Sequence, residues 1–224
     1  MNFWKEIPAG DKPPEVLNMV IEVIKGSRDK YEYSIDWEAF VLDRIIPSSV
    51  VFPVDYGFVP RTWFDDEDPL DIMVLSYEPL NVGAIVKVRV IGALIVEDEE
   101  GEDAKILSVP VNDARYNGYH HIKDVHPHLV REIQEFFEIY KRLEPHKWAK
   151  FKEWKDAEET WKIVCYSMDK FKDLSKRKKP KTKPGKLDKT HSCLQHARAR
   201  LILDTLLLFC FLAILPYFKV IIRM

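Results

Sequence analysis

Acidic side chains crowd two short windows of the sequence: Asp65, Asp66, Glu67, Asp68 and Asp71 in the first, and Glu97, Asp98, Glu99, Glu100, Glu102 and Asp103 in the second. Like charges this close repel, and a protein tolerates the crowding when a hard cation with oxygen ligands neutralises it. Mg²⁺ in particular takes a few carboxylates and keeps several waters. A lone acidic window is ordinarily a solvated loop. Here each window abuts a β-type run, DIMVLS after the first and GALIV before the second, so the acids are held at strand ends. In Asp66-Glu67-Asp68-Pro69-Leu70-Asp71 an extended backbone sends Asp66 and Asp68 to one face, and Pro69 fixes the chain direction before Asp71 enters its strand. Three carboxylates can thus converge on one site. The window lacks the central Gly and distal Glu of an EF-hand loop.

Cations and hydroxyls are spaced through the same stretch: Lys30 and Glu32 two apart, Asp43-Arg44, Phe52-Pro53 with Tyr56-Gly57, Ala104-Lys105 and Tyr140-Lys141. Each alone is an ordinary surface or turn feature. Together they supply what a metal-rich acidic pocket otherwise lacks, the donors that hold phosphate oxygens.

The elements that must position these groups read as strands first and helices last. Residues 16–24 and 31–36 have strand patterns around a turn at Gly26–Asp29, an antiparallel beginning. Further β-type runs cover 39–43, 50–54, 71–76, 86–96 and 104–109. Leu129, Val130, Ile133, Phe136, Phe137 and Tyr140 repeat at threes and fours, as do Ala157, Trp161, Val164, Cys165, Met168 and Phe171 behind a candidate N-cap at Asp156. The expected class is therefore α+β, with many short strands forming a sandwich or small barrel and two helices outside.

Charge divides the 224 residues unevenly. Residues 1–175 hold 22 Lys or Arg against 34 Asp or Glu, with all six Trp, whereas residues 176–224 hold 12 basic residues and 2 Asp. A packed core belongs to the first part, a single domain over 1–175. That acidic domain repels nucleic acid, which is excluded as its partner. Lys170–Lys189 carries ten basic residues, and 176–200 reads as a basic, disordered linker. Leu201–Ile222 is apolar apart from Asp204, Thr205 and Lys219. Three readings of this 201–224 segment stay open: a C-terminal membrane anchor, a partner-binding amphipathic segment, or a tail that adds no function. Cys165, Cys193 and Cys210 have neither zinc nor disulfide-framework spacing, and Met1–Gly10 has no apolar run of signal-peptide length. The expected location is the cytoplasm, with tethering if the tail inserts.

These residues, in this order and spacing, resemble those of the family I soluble inorganic pyrophosphatases from about Ile7 to Phe171. The marks are Val20-Ile21-Glu22, Lys30-Tyr31-Glu32, Asp43-Arg44, Phe52-Pro53 with Tyr56-Gly57, Asp66 to Asp71, Gly101-Glu102-Asp103-Ala104-Lys105, His121-Ile122-Lys123-Asp124 and Phe136-Phe137-Glu138 with Tyr140-Lys141. The resemblance implies a small closed antiparallel β-barrel of OB type with flanking helices, a homo-oligomer, and Mg²⁺-dependent hydrolysis of pyrophosphate by a metal-activated water. It implies that Asp66, Asp71 and Asp103 bind activating Mg²⁺, that Asp98 helps hold a further ion, and that Glu32 contacts one arriving with substrate. Asp68 is then the general base. Lys30, Arg44, Tyr56, Lys105, Tyr140 and Lys141 grip the phosphates, with Glu22 and Glu99 in support. Direct attack by water fits a chain in which no Ser, Cys or His stands as an evident covalent nucleophile.

Two positions depart from the family pattern. Glu67 fills a slot usually given to a small or short polar residue, and Phe52 stands where many relatives have Tyr. They motivate a second reading, a degenerate domain that binds phosphate and metal without turnover.

Overall fold

The nearly unbroken apolar run of β1 (Val16–Val23) suits a strand with neighbours on both sides, and the computed structural model, described over residues 1–99 and 101–176, gives it two: β4 (Asp55–Phe58) and the first part of β6 (Ile85–Asp98). The pairing continues from β4 to β5 (Asp71–Val74), to β7 (Gly101–Pro110) and back to β6, so five strands form a ring. The sixth strand, β8 (Ala149–Asp156), extends it from the far half of β6. A two-stranded ribbon, β2 (Asp29–Ser34) with β3 (Ala39–Ile45), stands apart. The helices α1 (Pro127–Ile139) and α2 (Ala157–Lys176) come last, as the sequence pattern requires.

Several expectations are corrected. The sheet is not wholly antiparallel: β5 and β7 run parallel, with Ile72 opposite Ile106 and Val74 opposite Ser108. β1 and β2 do not form a hairpin ladder, because β2 pairs with β3 alone. Residues 50–54 form a loop, in keeping with the missing N–H of Pro53, and the strand starts at Asp55. Lys170–Lys176, read as the start of the linker, are the last turns of α2, where Phe171 packs edge-on to Trp4 at 5.1 Å. The remainder of the expected linker and the 201–222 apolar segment lie outside the described residues. Among the described residues no helix is long and apolar enough to cross a membrane.

Two glycines allow close strand approaches, one within the ring and one between β6 and β8. A Cβ at Gly57 would lie 1.9 Å from the Val20 carbonyl oxygen, so β4 approaches β1 this closely only without a side chain there. At Gly92, beside the register shift of β6, a Cβ would lie 2.7 Å from the Lys155 oxygen and block β8.

The ring's apolar faces are closed by the helices. Ile133, Phe136 and Phe137 of α1 join Phe52, Tyr56, Met73, Leu94 and Leu107 in one buried cluster, while Val164 of α2 joins Leu17, Ile21, Ile72 and Ile106 in another. Full burial of such side chains contributes about 1.5–3 kcal/mol each. This packing fixes the strand ends that carry the acidic groups.

Candidate active site

Parallel pairing places the N-terminal ends of β5 and β7 side by side, and this brings Asp71 next to the Asp103-Lys105 pair. Asp103 and Lys105 are two apart on one strand and share a face. Lys105 is only 4% exposed, and its ammonium lies 2.7 Å from Asp71 Oδ2 and 2.7 Å from Asp103 Oδ2. It also donates to the Tyr56 hydroxyl oxygen at 3.1 Å, and Tyr56 in turn donates to Asp71. Burial works against the charge on Lys105, but Asp103 and then Asp71 overcome it and raise its pKa well above the usual lysine range. The Tyr56 hydroxyl is likewise pushed up, first by burial and then by Asp71.

The loop between β4 and β5 adds more carboxyl groups. The Asp66 carboxyl is pushed up to about 8, chiefly by burial and then by the charges of Asp71, Asp103 and Asp68. Asp103 is raised for the same leading reason, with Lys105 opposing and Asp71 and Asp98 adding to it. Asp68 lies on the exposed rim, its backbone N–H donating to Asp66 Oδ1 at 3.2 Å. Four carboxylates from two segments therefore act on one another.

A second cluster faces the first from the β2–β3 ribbon. Antiparallel register sets Lys30 opposite Arg44. Lys30 pairs with Glu32 and lies 3.7 Å from Asp43, while Arg44 pairs with Asp43 and places Nε 3.0 Å from Glu144. Burial opposes the charge on Lys30, but Glu32 and Tyr140 outweigh it. Glu22 links the two clusters. It accepts the Tyr33 N–H at 2.7 Å, and its pKa is raised to about 8, first by burial and also by Asp71, with Lys30 opposing.

The third cluster closes the site from the end of α1. Lys141 lies 2.7 Å from Asp98 and 3.5 Å from Glu99, and Lys147 reaches Glu99 at 3.7 Å. Tyr140, buried against Phe136 at 5.2 Å, acts electrostatically on Lys30, Arg44, Tyr56, Lys105 and Lys141. It stands among all three groups. Each residue expected at the site thus falls in one of three adjoining clusters: Tyr56, Asp66, Asp68, Asp71, Asp103 and Lys105; Glu22, Lys30, Glu32, Arg44 and, central to all, Tyr140; and Asp98, Glu99 and Lys141.

Sequence reasoning missed Glu144 and Lys147 as members. Both come from the segment after α1, where no periodic or charge pattern announces a contact. Only the hundred-residue separation from Arg44 to Glu144, closed by the fold, reveals the former.

The donor set suits a hard dication. It is all oxygen, and Asp103 Oδ1 is buried without a hydrogen-bond partner. As they stand, no three described His, Cys, Asp or Glu residues form a metal-holding group, and the Lys105 ammonium bridges Asp71 and Asp103.

The sequence profile described as inorganic pyrophosphatase matches residues 19–172. The inorganic pyrophosphatase of Thermus thermophilus is 46% identical over 170 residues, covering 75% of this chain and 97% of that relative. That of Nostoc sp. is 46% identical over 166 residues, covering 74% and 97%. The crystal structure of the Thermus thermophilus inorganic pyrophosphatase matches with a TM-score of 0.75 at 45% identity, over 77% of this chain and 99% of that one. An inorganic pyrophosphatase structure from Helicobacter pylori gives 0.72 at 34% identity, over 75% and 99%. With a profile spanning most of the chain, relatives matched over nearly their whole length and the same fold, the chain belongs to the family I soluble inorganic pyrophosphatases.

Proposed function

We propose that the chain hydrolyses inorganic pyrophosphate to two orthophosphates, using Mg²⁺ and direct attack by water. The observation that carries this reading is the close opposition of a carboxylate group, the buried Asp103 with the partly buried Asp66 and Asp71, to the cations Lys30, Arg44, Lys105 and Lys141 around Tyr140. A multiply charged substrate needs both halves. The carboxylates would hold metal, and the cations would hold phosphate oxygens.

Asp66, Asp71 and Asp103, with Asp98 and Glu32 at the margins, would hold the ions. Bound Mg²⁺ supplies positive charge against the phosphates and lowers the pKa of water from about 16 toward 7. Asp68, on the rim, orients water or takes its proton. Lys30, Arg44, Lys105 and Lys141 hold charge that develops on the departing phosphate, and its oxygens accept from the Tyr140 hydroxyl and from that of Tyr56 once its proton turns away from Asp71. Their preorganisation comes from the fold, because each cation is already fixed by an acidic neighbour before substrate arrives.

The proposal extends to architecture and context. The ring of strands is taken as an OB-type barrel, residues 1–175 as the sufficient catalytic unit, and the working state as a cytoplasmic homo-oligomer. Exposed Leu42 and Ile45 on the β2–β3 ribbon support self-association. The experiment is orthophosphate release from pyrophosphate by the full chain and by residues 1–175, in Mg²⁺ and in excess chelator. Metal-dependent release by both is expected. Binding of a non-hydrolysable analogue without turnover would favour the binding-only alternative.

A further inference from the structure

The loop carrying Asp66 and Asp68 contains a residue ill suited to its backbone. Glu67 has φ 63°, a left-handed conformation that a Cβ disfavours and that Gly or Asn would adopt more readily. Within the loop, Phe64 N–H reaches the Asp68 oxygen at 2.8 Å and Asp68 N–H reaches Asp66 Oδ1 at 3.2 Å. These internal bonds do not anchor the loop to the rest of the protein.

The anchor is α2. The Tyr166 hydroxyl donates to Asp65 Oδ1 at 2.8 Å, and the Lys170 ammonium pairs with the same oxygen while donating to the Phe64 carbonyl oxygen at 3.2 Å. The Phe64 ring meets Tyr166 edge-on at 6.2 Å, and Trp63 N–H donates to the buried Ser167 oxygen at 3.0 Å. Two adjacent turns of helix therefore grip three consecutive residues, Trp63, Phe64 and Asp65, immediately before the two carboxylates. Nothing in this grip touches the reacting groups.

We propose that Tyr166 and Lys170 are positioning residues that, through Asp65, hold the Asp66–Asp68 segment in its metal-receiving conformation despite the unfavourable backbone at Glu67. This rests on the active-site reading given above. Two donors on one carboxylate oxygen, from adjacent turns of a helix whose other face is packed on the ring, define the loop's height over Asp71 and Asp103. If they are lost, the loop can relax, and ion binding must then also supply its ordering.

The test uses the full chain carrying Tyr166→Phe and Lys170→Met together, which keep the ring against Phe64 and the aliphatic stem but remove both donors. Amide exchange of residues 66–68 is measured in metal-free protein, and Mg²⁺ affinity by calorimetry. Exchange should quicken about tenfold and Mg²⁺ binding weaken about three- to tenfold, the scale for partly exposed charged and hydroxyl contacts, with Lys170→Arg retaining wild-type behaviour. Asp65→Asn, which weakens the same contacts from the loop side, should reproduce both changes if the double variant fails to fold. Unchanged exchange would overturn the proposal, and so would faster exchange with unchanged Mg²⁺ affinity. Wild-type turnover by an Asp68→Asn variant would instead overturn the active-site reading and leave the exchange result standing.

Discussion

Asp71 and Lys105 stand 2.7 Å apart because their strands run in the same direction. Each residue precedes the first of the matched pairs, Ile72 with Ile106, so one ladder delivers an acid and a base to the same end of the ring. The antiparallel strand β4 then brings Tyr56 to them from the other side of β5, opposite Met73. An antiparallel β5–β7 pair would have carried Asp71 and Lys105 to opposite ends.

Removing the central cation should destabilise the fold more than it relaxes it. Lys105→Met leaves Asp71 and Asp103 facing each other without compensation, and breaking a buried pair from one side typically costs about 3–5 kcal/mol. Chemical denaturation in chelator at pH 7.5 should show a loss on that scale. Part of it should return at pH 5. Without Lys105, Asp103 keeps the burial that raises its folded pKa above the unfolded one and loses the cation that opposes it, so its contribution to stability is present at low pH and lost as pH rises. A variant as stable as the parent at pH 7.5 would contradict the arrangement.

Glu22 makes metal-free stability fall with pH. Its folded pKa of about 8 exceeds the ordinary 4.5, so the unfolded chain ionises first. The stability it contributes is complete below pH 4.5, declines between there and pH 8, and is absent above. Glu22→Gln keeps an acceptor for the Tyr33 N–H and removes the ionisation. Denaturation curves in chelator should show the variant near the parent at pH 4.5 and about 1–3 kcal/mol more stable at pH 8. A variant less stable than the parent at pH 8 would sink this account.

Glu67→Gly should raise stability, since glycine takes the left-handed conformation without the clash of a Cβ. A gain of about 0.5–1 kcal/mol is expected in urea denaturation, the strain relieved exceeding the freedom returned to the unfolded chain. A clear loss would mean that the contacts of the exposed Glu67 are worth more than the strain.

Much of the site could be read directly from the sequence, because charge spacing survives without knowledge of the fold. Asp103 and Lys105 lie two apart, and Lys30 and Glu32 do too, so strand alternation alone assigns each pair to one face. The strands and helices that bury apolar faces were legible for a similar reason: Leu129 to Tyr140 and Ala157 to Phe171 repeat with helical period. β8 escaped because its pattern is broken. The register shifts between Ile95 and Val96, leaving Lys152 with no opposite residue on β6 between Phe151 and Glu153. The parallel β5–β7 pair and the contacts of Glu144 and Lys147 escaped as well, for they depend on chain crossings that no local pattern encodes. Phe52 also takes its meaning from the fold. It is 1% exposed and packs 4.7 Å from Phe136 and 5.5 Å from Tyr56, so the missing hydroxyl leaves an apolar wall behind the site.

The central claim is that carboxylates gathered at one end of the ring ready water to split pyrophosphate. Orthophosphate release with saturating Mg²⁺, compared between the parent and a folded Asp68→Asn variant, tests it most directly. The account predicts release by the parent and a loss of about 10²- to 10⁴-fold in kcat for the variant, the contribution of one well-placed acid–base group. Equal rates for the two would contradict it, as would a parent chain that releases no phosphate.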